Sequence, residues 1–256
     1  MRAGPVLAPL WKFATGLLIL CGEGHEAASV REIWEFVCRL LLLRRGSPLD
    51  TCVLNLLEYE DEDIPLIEIW IRHVLMCKVQ VLILDISRFS IAGDPCLELG
   101  NLPLVSQNLK RLKLCQLFID SFLDFSSCPA LEVLEFNDCE FLECHRISSR
   151  SLKFLSFTNC EFGTIFRTYI YAPNLISLWL EVSEASEGWT PLLERMHSLV
   201  EAVVKIKFSD DSYRGRCGDE DCPSCYQVHD DTVDTVVLQG LSEAQRLVLM
   251  SDMLTL

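Results

Sequence analysis

An α/β solenoid, with a curved parallel sheet on its concave face and loops and short helices on its convex face, is the fold this sequence predicts. Three observations lead to it. A six-residue phrase returns at 109–114, 131–136, 152–157 and 175–180, reading LKRLKL, LEVLEF, LKFLSF and LISLWL. The lead leucines stand 22, 21 and 23 residues apart. Cys139 and Cys160 occupy the same slot after the second and third copies. The pattern L-x-x-L-x-L, with Cys in the Asn/Cys slot at a period of about 20–29 residues, is that of leucine-rich repeats.

The elements follow in chain order. Residues 1–28 contain two prolines and four glycines and hold no lasting period, so no element is assigned to them. Ser29 and Glu32 form a capping box, and Val30, Ile33, Trp34, Val37, Leu40 and Leu41 make one stripe of a helix that Gly46 and Pro48 end. Such a helix suits the cover of a solenoid's open end. Residues 51–56 read as a strand, 58–63 as an acidic surface turn, and 65–76 as a second helix with Pro65 early in it. Val79, Leu82 and Leu84 give a degenerate repeat, followed by an insertion around 89–100. Beyond Leu180, Leu199, Ala202 and Val204 make a further copy, and Ala244, Leu247 and Leu249 a last one. The domain reading is therefore 1–28 as a disordered N-terminus or remnant and 29–256 as the repeat domain, with an acidic cysteine-rich insertion at 209–234.

Composition narrows the function. The net charge of −15 argues against a nucleic-acid partner, which requires a basic face. The segment 209–234 holds eight acids and two bases, the makeup of a solvated loop. No apolar run approaches the roughly 18 residues of a membrane span, so no membrane partner is expected. Thirteen scattered cysteines fit buried free thiols in a reducing compartment, the cytoplasm or the nucleus.

Strand alternation divides the repeat positions. Leu112, Leu114, Leu134, Phe136, Leu155, Phe157, Leu178 and Leu180 are assigned to the core. The residues between them are the candidate partner-binding set: Arg111, Lys113, Glu135, Asn137, Phe154, Ser156, Thr158, Trp179 and Glu181. Phe154 and Trp179 are either anchors for a partner or rings covered by a loop or the C-terminal tail. Arg111 and Lys113 beside Glu135 are either partner contacts or a surface charge pair of little energy.

No phosphate loop, nucleophile elbow or His-Glu-x-x-His motif is present, and the five histidines are dispersed. The chain is therefore read as a binding protein, not an enzyme, with no cofactor and no catalytic residues. Cys217, Cys222, Cys225 and His229 supply four soft ligands in thirteen residues. Structural zinc, a surface disulfide and free thiols all stand as readings of that cluster, with folding expected to need no metal.

Several stretches resemble the plant F-box/leucine-rich-repeat proteins over about residues 31–250: LLLLRRGSPLD at 40–50, WIRH at 70–73, LPLVS at 102–106, SFLDFSSCPAL at 121–131, ISSRSL at 147–152, APNL at 172–175 and GLSEA at 240–244. The resemblance implies the substrate-recognition part of an SCF-type ubiquitin ligase, holding a protein substrate on the concave face. The family's F-box docks on a Skp adaptor. Here only Leu10-Trp11-Lys12 is similar to the close of an F-box, so 1–28 is expected to be its remnant and Skp and cullin binding to be weak or absent. The alternative is a stand-alone interaction protein that recruits no ligase.

Overall fold

A computed structural model describes residues 10–22, 28–44, 47–57, 59–86, 104–165, 167–183, 186, 188–205 and 240–250. After a 3-10 turn at Leu10–Phe13, the elements are β1 (Gly16–Cys21), α1 (Val30–Leu43), β2 (Thr51–Leu56), α2 (Ile64–Met76) and β3 (Val81–Ile86). They continue with β4 (Arg111–Cys115), β5 (Leu123–Asp124), β6 (Val133–Asn137), β7 (Glu140–Phe141), β8 (Arg146–Ser148) and β9 (Phe154–Phe162). The chain then forms β10 (Tyr169–Tyr171), β11 (Ser177–Val182), β12 (Leu192–Leu193), β13 (Glu201–Lys205) and β14 (Arg246–Met250).

These strands form two parallel sheets. The larger has ten strands in the order β1-β2-β3-β4-β6-β9-β11-β13-β14, with β7 on the far half of β9. The smaller has four, in the order β12-β10-β8-β5. This corrects the expected fold. A single curved sheet backed by loops and short helices, the leucine-rich-repeat solenoid, gives way to an α/β arrangement of two sheets with two helices among the described residues. Among the described residues the helices lie in the N-terminal crossovers. From Leu123 onward the chain returns through two- and three-residue strands that pair with one another.

Alternation gives each sheet an apolar inner face. In the large sheet, Cys52, Leu82, Leu112, Leu134, Leu155 and Leu178 lie in register and are all buried. The next inward row is Ile19, Leu54, Leu84, Leu114, Phe136, Phe157, Leu180 and Val204, also buried. The small sheet answers with Leu123, Ile147, Ile170 and Leu193. Phe136 stacks on Phe157 at 5.1 Å, and Phe141 on Phe162 at 5.1 Å, with Phe136 and Phe141 edge to face at 5.0 Å. Fully burying such a ring contributes about 1.5–3 kcal/mol each from area alone.

Local chemistry sets the entries and exits. Both halves of the capping box on α1 are made: the Glu32 amide donates to Ser29 Oγ at 3.4 Å and the Ser29 amide to Glu32 Oε2 at 2.8 Å. In α2, Pro65 sits in the first turn, where its missing amide costs no hydrogen bond. Arg31 clamps the two helices, donating from Nε to Asp63 Oδ1 at 3.0 Å. Strand entry is uniform: Lys110, Glu132, Lys153 and Ile176 each offer one carbonyl to two successive amides of the next strand. Gln116 and Asp138, just past the ends of β4 and β6, and Asn159, at the equivalent place inside the longer β9, have φ of 59, 52 and 53°. This left-handed turn points Cys139 and Cys160 inward, where their thiols donate to the carbonyls of Leu114 and Phe136.

Two sequence expectations end differently. Residues 16–21, assigned to no element, form the first strand of the large sheet, paired with β2. Leu247 and Leu249 pair with β13 in register, yet stand 40% and 50% exposed. The insertion around 89–100, the acidic segment 209–234 and the Cys217, Cys222, Cys225 and His229 cluster lie outside the described residues.

Candidate protein-binding face

The outward side of the large sheet collects all nine candidate residues. Because Leu112 and Leu114 point inward, β4 turns Arg111 and Lys113 outward. The same alternation presents Glu135 and Asn137 on β6, Phe154, Ser156 and Thr158 on β9, and Trp179 and Glu181 on β11. Register then places Arg111, Val133, Phe154 and Ser177 in one row and Lys113, Glu135, Ser156 and Trp179 in the next. Asn137 and Thr158 are neighbours in a third row. Glu181 steps away from Thr158, because the register between β9 and β11 shifts between Leu180 and Val182.

The two aromatic residues occupy opposite corners of a checkerboard. Phe154 is 46% exposed and Trp179 38%, so both rings stand open among the described residues. Ser156 and Ser177 fill the other two corners, and their short side chains leave the ring faces open. The indole Nε1 donates to Glu181 Oε2 at 3.3 Å, and Glu181 Oε1 receives Lys205 Nζ at 3.4 Å, which fixes one edge of the ring.

Charges on this face are largely matched. Arg111 donates to Glu135 through Nε at 2.7 Å and a second nitrogen at 2.9 Å, the forked geometry that makes Arg–carboxylate pairs directional. Arg246 meets Glu201 at 3.4 Å, and Asn55 donates to Asp85 at 3.1 Å. Lys113 makes no ion pair among the described residues. What the sequence missed is the N-terminal extension of the same face. Leu18 and Leu20 on β1 are 59% and 60% exposed, and they continue through Val53 and Ile83 toward Lys113. The glycines at 16 and 22, which bracket an apolar run, were the available signal for that strand.

Among the described residues no group of three or more His, Cys, Asp or Glu side chains is placed to hold a metal. No helix among the described residues is long and apolar enough to cross a membrane. The nine described cysteines are free and buried. Burial pushes the thiols of Cys52, Cys139 and Cys144 up to about 12, so none is a ready nucleophile.

The fold and this face define an α/β protein with two parallel sheets and an outer strand surface on which two aromatic rings stand among polar and charged side chains. No family model matches the chain, and neither a curated protein nor a solved structure is significantly similar to it. The resemblance to the plant F-box/leucine-rich-repeat family is corrected by the topology, two parallel sheets with two helices among the described residues in place of a repeating solenoid. The SCF ligase role, which followed from that resemblance alone, falls with it.

Proposed function

We propose that the chain acts by binding a protein partner on the outward face of the ten-stranded sheet, and that it does so without catalysis. The observation that carries this reading is the checkerboard of Phe154 and Trp179 with Ser156 and Ser177. Two uncovered aromatic rings beside small neighbours offer apolar contact with almost no ordering cost, since the strands already hold them. The partner's matching chemistry is an apolar side chain seated between the rings, with a carboxylate reaching Lys113. The pairs Arg111–Glu135, Lys205–Glu181 and Arg246–Glu201 offset one another's charge on this face, so contact area supplies most of the affinity.

The test uses a photo-crosslinking amino acid at Ser156 in the full chain, with a second version carrying it at Arg39 on the exposed side of α1. Capture of one defined protein from Ser156 but not from Arg39 supports the reading. Equal capture from both positions, or capture from Arg39 alone, contradicts it.

A further inference from the structure

The small sheet carries a cleft that the outward face of the large sheet does not use. Its volume is about 740 Å³, within the range of about 300–1,000 Å³ in which small-molecule sites fall. Leu123, Ile147 and Ile170 face the core, so alternation turns Asp124, Ser148 and Tyr171 outward in one row across β5, β8 and β10. Arg146 stands beside that row. Its guanidinium lies 5.5 Å from the ring centre of Tyr169 and 5.4 Å from that of Tyr171, a cation–π arrangement that holds the group in place.

The carboxylate in this lining is already occupied. Asp124 accepts from the Ser126 amide at 3.0 Å, from Ser126 Oγ at 2.9 Å and from Ser148 Oγ at 3.1 Å. Among the described residues neither Arg146 nor Arg150, which also lines the cleft, makes an ion pair. In a chain with 37 acidic and 22 basic residues, a cleft with two arginines and one carboxylate, Asp124, which Arg146 feels only through space, is a departure from the surrounding charge. Guanidinium groups match phosphate oxygens in a forked geometry. Ser149, itself buried, and Ser151 line the cleft with hydroxyls 3.2 Å apart, and Phe122, 48% exposed, adds an apolar ring.

We propose that this cleft binds a small phosphate monoester whose organic part carries hydroxyls and a flat ring, a molecule of nucleoside-monophosphate size. Arg146 and Arg150 hold the phosphate, the serines meet the hydroxyls, and Phe122 and Tyr171 flank the ring. The assignment is independent of the protein-binding face.

The experiment titrates the full chain with adenosine monophosphate, adenosine and inorganic phosphate at constant ionic strength, following the arginine Nε–Hε and backbone amide resonances. Adenosine monophosphate is expected to shift Arg146, Ser149 and Tyr171 saturably and to bind at least about tenfold more tightly than either part alone. Arg146→Gln and Arg150→Gln should each weaken it about tenfold, the usual effect of losing a charged hydrogen bond. Arg146→Lys, which keeps the charge but loses the fork and the stacking plane, should weaken it as well, and it serves if the Gln variant does not fold. No saturable shift, inorganic phosphate binding as tightly as the nucleotide, or undiminished binding in the arginine variants would overturn the proposal.

Discussion

The two ends of the ten-stranded sheet have the same strands and different backing. Between β1, β2 and β3 the connections hold 29 and 24 residues, and each contains a helix of 14 or 13 residues. Between β4, β6, β9, β11 and β13 they hold 14 to 18 residues, and each contains a strand of two or three residues instead. A 13-residue helix spans about 20 Å and still needs turns at both ends. The shorter connections lack that length, and their sequences, such as SFLDFSSCP at 121–129, have no 3.6-residue stripe. Extended backbone covers the same distance with fewer residues. Once several neighbouring connections are extended, they satisfy their amides by pairing with one another, and the second sheet results. Crossover length decides the layer.

The largest effects should come from the core, and they should be alike in both regions. Phe157→Ala, between the stacked rings, is expected to destabilise by about 3–5 kcal/mol, and Trp70→Ala on α2 by a similar amount. Denaturant melts measure both. A Trp70→Ala cost under about 1 kcal/mol would mean that the helical layer is not part of the cooperative core. Next in size, Leu155→Ala should cost about 2–5 kcal/mol, while outward Ser156→Ala should cost under about 0.5 kcal/mol. Equal costs would refute the inward and outward assignment of β9.

A smaller effect separates the regions. Ser29→Ala removes the side-chain half of the capping box and should cost about 1 kcal/mol. Hydrogen exchange should quicken within 30–43 and stay unchanged in β8 and β10. Quickening spread evenly over both regions would instead mean that the two backing layers open as one unit.

The inner face was legible in the sequence because strand alternation needs only leucine, phenylalanine and cysteine at fixed spacing. Leu134, Phe136, Leu155 and Phe157 were assigned inward on that basis, and they are buried. The helix from Ser29 was legible through its cap and stripe. The back layer was not. Strands such as Leu123–Asp124 and Leu192–Leu193 are too short to show a period, and their stability comes from neighbours that sequence spacing does not reveal. The cleft at Arg146 was hidden for the same reason: Tyr171 and Asp124 reach it only through pairing in the second sheet. The outward orientation of Phe154 and Trp179 was legible because they occupy the alternate positions of the repeated phrase.

The smallest stability effects are expected on the outward face. Arg111→Ala should change stability by no more than about 1 kcal/mol, since the pair it breaks is solvent-exposed. Thiol labelling gives a complementary check on the inner face. With burial holding Cys52, Cys139 and Cys144 at about 12, almost no thiolate is present at mildly alkaline pH, so these three should label only when the chain unfolds.

The central claim is that the outward face binds while the inward face folds, and one comparison reaches it directly. The affinity of the partner captured at Ser156 is measured for the wild-type chain and for the Phe154→Ala, Trp179→Ala double variant, alongside the melting of each. The account predicts a loss of at least about tenfold in affinity, the size expected when exposed aromatic anchors are truncated, with melting nearly unchanged. Unchanged affinity, or a loss that appears only with unfolding, would contradict it.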